Sequence, residues 1–249
     1  MQYVATKLNR SQSCHCAKMS NLVHLPTLIR EAQPLFRKLL EKADVLEHKY
    51  LNYYGDEDIR PEMFERQVFL NIRALIEFDD FLDIMNDTNG KVSRYAQFPL
   101  QGRAIFNSAY DTTNRSSYCI QAMFSIEHCL ALIAERLGLE HDTYSKTVNQ
   151  LQLELGITDD QKKILLAPAY FRNSLHNNGY HLKGEDFDLI RGKEVIHFKK
   201  PDQATGFSVI SAYHIFNELY DVLDLILEND LVKSQPLIPH NSTTYHDIQ

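Results

Sequence analysis

The run Arg172-Asn173-Ser174-Leu175-His176-Asn177-Asn178-Gly179 crowds polar functional groups into a stretch whose approach is apolar, from Ile164 through Ala167 and on to Phe171. On a helix, Arg172 and His176 are i and i+4 and project from one face, one turn apart. Asn173 and Asn177 form a second such pair on the adjoining strip. A guanidinium, an imidazole and two carboxamides then converge on one patch. Arginine presents a planar fork suited to phosphate, and histidine exchanges a proton near neutral pH. Together they suffice for phosphodiester chemistry without a metal. The same residue types near a helix end also bond the terminal carbonyls and complement the helix dipole, which is the structural alternative.

These groups need a helix to hold them. Thr158, with Gln161 three residues on, has the form of a capping box and predicts a helix from there towards Asn178-Gly179, a pair that favours a stop. Pro168 should kink or break it. Upstream, Leu25-Pro26 opens a helical stretch that Pro34 restarts or kinks, carrying Leu35, Leu39, Leu46 and Tyr50. Gly55 to Asp58 interrupts, and Pro61 suits the first turn of a second helix. Its apolar stripe is Met63, Phe64, Val68, Phe69, Ile72, Leu75 and Ile76, with Arg60, Arg66 and Arg73 on a solvated face. Residues 91–107 read as an irregular linker. Asp111 and Asn114 are candidate caps for a long central helix ending at Gly138, whose Glu127 and His128 fit a polar face. His141-Asp142-Thr143 opens a shorter helix that ends at Gly156.

The apolar period then changes from helical to alternating. Asp186 to Ile190 and Glu194 to Phe198, around Arg191-Gly192-Lys193, predict a β-hairpin. Arg191, Lys193 and His181 follow the polar patch closely enough to hold a substrate backbone, although such residues are more often ordinary surface groups. A last helix spans about Phe207 to Val232, and Pro236 and Pro239 end the ordered chain.

Composition sets bounds. The chain has 249 residues, 44% of them hydrophobic and 24% charged, with only nine glycines: a globular composition. The net charge of −7 argues against broad non-specific nucleic-acid binding but leaves room for one local cationic site. No apolar run suggests a membrane span. Four cysteines and no secretion signal suit a reducing cytoplasm. Cys14-His15-Cys16 is spaced too tightly for a zinc pair, so neither metal nor cofactor is expected, and Cys119 and Cys129 read as core. Met19 is a second candidate start residue.

The motif beginning Arg172-Asn173 resembles that of the HEPN superfamily, small helical bundles with an Arg, a polar residue (often Asn), a short spacer and a His on a late helix. Three residues separate Arg172 from His176 and eight separate it from His181, against four to six in the commonest form, and Asn177 stands at the usual His position. The resemblance covers roughly the second half of the chain. It implies an all-α, HEPN-like bundle over residues 107–231; the residue patterns themselves add its hairpin at 186–200, a flexible tail (1–20), an N-terminal helical part (21–95) and a linker (96–106) before it, and a flexible tail (232–249) after it. It further implies metal-independent RNA cleavage, with His176 moving the proton, Arg172 stabilising phosphorane charge, and Asn173 and Asn177 orienting groups or bonding phosphate oxygens. Its members are commonly homodimers, often in toxin–antitoxin or antiviral defence systems, so an antitoxin or other defence-system protein is an expected partner. The alternative is a non-catalytic HEPN-like module that binds a protein, nucleotide or RNA.

Overall fold

The computed structural model describes residues 25–85, 99–177, 180–182, 184–191, 194–202, 204 and 208–239. Seven helices and one hairpin succeed one another in these residues: α1 (Leu25–Tyr54), α2 (Ile59–Met85), α3 (Leu100–Arg136), α4 (Tyr144–Leu155), α5 (Asp159–His176), β1 (Phe187–Arg191), β2 (Glu194–Phe198), α6 (Val209–Glu228) and α7 (Asp230–Lys233). The fold is therefore all-α with one small antiparallel hairpin, in which Phe187 pairs with Phe198 and Arg191 with Glu194. The expected tail at 1–20, Cys14-His15-Cys16 and Met19 lie outside the described residues.

Helix α1 packs on α2 and α6, and α3 contacts α2, α4 and α5. Buried residues from α1 through α6 belong to one core cluster, so the expected N-terminal pair and the later bundle share a single interior. Local signals held where they were explicit. The Thr158–Gln161 capping box forms in both directions, Thr143 caps α4, and Gly156 closes α4 in the left-handed conformation. Cys119 and Cys129 are buried, and burial pushes the Cys119 thiol up to about 12.

Several expectations are corrected. Neither Pro34 nor Pro168 interrupts its helix. Residues 100–107 are helix and not linker, because Pro99 sits at the cap position and Gly102 falls in the first turn, where both are tolerated. Asp111 is therefore within α3 and pairs with Arg115 one turn on at 2.5 Å, while Asn114 lies inside the same helix. Although no apolar run suggests a membrane span, helix α3 is long and apolar enough, by length and composition, to cross a membrane; more than half of its apolar window is buried in this bundle. The last helix divides at Asn229, whose side chain accepts from Leu231 N and so caps α7.

The stripe read on α2 is half wrong. Phe69, Ile72 and Ile76 face outward, and the buried face runs through Met63, Phe64, Gln67, Leu70, Asn71 and Ala74. Gln67 and Asn71 can be buried because each finds partners. Gln67 donates to Ala122 O and Ser125 Oγ at 3.1 and 2.9 Å. Asn71 donates to Tyr220 Oη at 3.1 Å and accepts from Tyr118 Oη at 2.8 Å. An apolar stripe was legible on either face, and polar satisfaction decides which one turns inward.

Arg60 and the chain's end are the other corrections. Arg60 is not on a solvated face: it and Asp58 are at most 1% exposed and form a forked pair, Nε to Oδ1 at 2.7 Å and Nη2 to Oδ2 at 2.5 Å. Asp58 Oδ2 also accepts from Ile238 N at 3.0 Å, and Arg60 donates to Val232 O and Pro236 O. Residues 232–239 are thus folded back and clamped to the start of α2, and Ile238 is buried.

Two outcomes follow from this packing. Asp58→Ala leaves a buried guanidinium without its counter-ion and should lower unfolding free energy by about 3–5 kcal/mol in urea titration; a loss under 1 kcal/mol contradicts the clamp. At the C-terminal end of α6, Lys233 and Lys49 hold the Glu228 carboxyl down to about 2. Because this folded value lies below the ordinary one, the stabilisation is present above about pH 4.5 and lost as pH falls through about 2. Wild type should therefore exceed Glu228→Gln in stability at pH 6 and lose that lead in acid, measured by denaturant midpoints; a constant gap contradicts it.

Candidate functional site

The C-terminal half of α5 lies against α3, and Arg172 reaches across to it. Its Nη1 meets Glu127 Oε1 at 2.7 Å, with the two side chains 21% and 24% exposed. At this distance Glu127 neutralises the guanidinium as an ion pair. The other edge of the guanidinium, Nε and Nη2, faces Asn173 Oδ1 at a long 3.3 Å. Arg172 is not spent on helix-terminal carbonyls. It is positioned by one carboxylate at 2.7 Å and one carboxamide at a longer 3.3 Å.

Tyr144 floors the site. It is half-buried, and its hydroxyl donates to Leu165 O at 2.9 Å. Burial first and the Glu127 charge second push its phenol well above the ordinary value, so it stays neutral. Glu127 had been assigned to a solvated polar face. A carboxylate within one of the most apolar stretches of the chain was the available signal that it needed a cationic partner. The partner itself lies on another helix, which periodicity does not show.

The remaining sequence candidates separate. Asn177 caps α5, with its Nδ2 donating to Asn173 O at 3.0 Å. This is the structural role, and Asn173 serves Arg172 directly. His176 closes α5, and its side chain lies outside the described residues, as does Lys193. His181 is corrected from a substrate contact to a core residue. It is 2% exposed, its ring lies 5.1 and 5.7 Å from those of Tyr170 and Phe198, and its Nε2 faces Glu185 O at 3.1 Å. Gly184 belongs to the same arrangement: with φ +96 and its α-carbon against the Tyr170 ring, there is no room for a side chain. Arg191 turns to α6, its Nε 2.7 Å from Glu218 Oε1.

What is left is a compact set in which Glu127, Arg172 and Asn173 are brought together, with Tyr144 beneath. A partly exposed guanidinium of this kind can take an oxyanion if Glu127 yields. A search with family models, curated proteins and solved structures finds no match to the chain.

The pairing has a measurable size. A double-mutant cycle with Glu127→Ala and Arg172→Ala should give a coupling of about 0.5–1 kcal/mol by urea unfolding, as befits a partly exposed pair. A coupling of zero means that the two groups do not meet in solution.

Proposed function

We propose that the protein is a metal-independent endoribonuclease of HEPN type, acting at the C-terminal end of α5. The observation that carries this reading is Arg172, partly exposed and held by the Glu127 and Asn173 side chains rather than by backbone carbonyls. A structural arginine at a helix end bonds carbonyls; this one does not. In the proposed chemistry a ribose 2′-hydroxyl attacks the adjacent phosphorus, and the bond from phosphorus to the 5′-oxygen breaks. His176 takes the 2′-proton and a proton is returned to the leaving 5′-oxygen. Arg172 swings its fork from Glu127 to the equatorial oxygens of the phosphorane, where a planar bidentate donor is most effective. Glu127 and Asn173 position Arg172 and do not touch RNA. Neither a metal nor a cofactor is required. A cytoplasmic setting and a role in toxin–antitoxin or antiviral defence, with a cognate protein partner, belong to the same proposal.

A second reading is favoured by the closed state of the pair. Phosphate must compete with Glu127 for Arg172, and the surrounding chain is acidic overall. On that reading the same end of the bundle is a HEPN-like module that binds a protein, nucleotide or RNA without cleaving it.

Purified protein incubated with RNA in chelator separates the two. Cleavage is expected in wild type, and His176→Ala should slow it roughly a hundredfold to ten-thousandfold. Arg172→Lys should also fail, because a point charge does not reproduce the fork. Binding without cleavage in wild type supports the second reading, and equal cleavage by wild type and His176→Ala removes His176 from the mechanism.

A further inference from the structure

Between α2 and α3 the surface holds a groove of about 580 Å³, with Phe69 and Leu70 on one wall and Ile120 and Phe124 on the other. Phe69 and Phe124 are 66% and 65% exposed. Of the lining residues, Glu62, Glu65 and Arg66 are the nearest to the start of α2. Exposed aromatic walls of this kind mark a docking surface.

The described chain stops beside that end of the groove. Ile59, the first residue of α2, donates its N–H to Ile238 O at 2.9 Å, and Asp58 forms an antiparallel bridge with Pro239. Ile238 is buried, and its own N–H is held by Asp58, so the exit point is fixed against α2. Residues 240–249 continue from there, with Tyr245 and Ile248 as their large apolar side chains.

We propose that residues 240–249 fold back into this groove, placing Tyr245 and Ile248 between Phe69 and Phe124. The inference stands independently of RNA cleavage. Its first support is reach. Ile59 to Leu70 spans about 17 Å along α2 at the ordinary helical rise. Ten extended residues cover about 33 Å, enough to reverse and lie along the groove. Reversal is required because the bridge is antiparallel and carries the chain past the start of α2. Asn241-Ser242, directly after Pro239 and His240, are turn formers placed where that reversal falls.

The second support is the segment's own pattern. Tyr245 and Ile248 are i and i+3, so one helical turn presents both to a single surface. Charge agrees: the groove carries Glu62, Glu65 and Arg66, and the segment carries His240, His246 and Asp247, so neither side offers a run of one sign to repel the other. The third support is tethering. A separate molecule must find the groove from solution, whereas this segment is anchored at its edge, at an effective concentration in the millimolar range.

The test is native proteolysis of the full chain. Chymotrypsin cuts after Tyr245, and mass spectrometry follows the product that ends there. When cleavage is slow relative to opening, its rate reports the undocked population. Wild type is expected to be cut on the order of tenfold more slowly than either Phe69→Ser or Ile248→Ser. Phe69 is mostly exposed, and circular dichroism with cooperative unfolding checks that its variant is folded. Ile248→Ser alters no described element and gives the same reading without that concern. A wild type cut as fast as either variant overturns the proposal. So does protection that fades on dilution from about 100 to 1 μM, which places the segment in the groove of a second copy.

Discussion

A set of buried polar groups fixes how α3 is turned, and the candidate site depends on that turn. Gln67 and Asn71 of α2, Tyr118 and Ser125 of α3, and Tyr220 of α6 join in one network of hydrogen bonds inside the core. Each is affordable only while its partners are present, since an orphaned buried group loses about 1–3 kcal/mol. A helix rotates by about 100° per residue, so slipping α3 by one position would orphan the network. The same slip would carry Glu127 away from α5. Burial keeps Tyr118 and Tyr220 neutral, their phenols raised above the ordinary value, so the network persists across the physiological range.

With α3 fixed, α5 can present its polar end against an acidic side chain. Three features then bear on reactivity. Arg172 is held in place yet incompletely bonded. Tyr144 lies close enough to the Glu127–Arg172 pair for its phenol to feel both charges. The hairpin is tied to α5 through Tyr170, whose hydroxyl accepts from Glu185 N at 3.0 Å and whose ring packs near Phe187 and His181. The end of α5 is therefore braced from two sides, by α3 and by the hairpin. The Asp58–Arg60 clamp does for the returning chain what the central network does for α3: a charge is placed inside only because every partner arrives with it.

The sequence made some of this readable and hid the rest for physical reasons. Caps are local events, and Thr143, Thr158 and Gly156 behaved as their types require. The change of period at the hairpin was equally local. On α2, by contrast, two faces were apolar enough to be the inner one. Only contacts with α3 and α6 could show that Gln67 and Asn71 go inside while Phe69, Ile72 and Ile76 stay out. Arg60 was misplaced for the same reason, because its carbonyl partners come from residues 232 and 236, remote in sequence. At the site, Arg172 and Asn173 were identified from type and spacing. Glu127 was seen but not connected, and His181 was taken for a ligand contact because nothing local shows that its ring is buried among aromatics.

The central claim is that Arg172 serves a phosphodiester and that the attacking group is the neighbouring ribose hydroxyl. Mass spectrometry of the ends left on RNA after incubation with wild-type protein in chelator tests it most directly. The account expects fragments with 2′,3′-cyclic phosphate and 5′-hydroxyl ends, and no scission at a position where the ribose is replaced by 2′-deoxyribose. Fragments bearing 3′-hydroxyl and 5′-phosphate ends, scission at the 2′-deoxy position, or RNA recovered intact would contradict it.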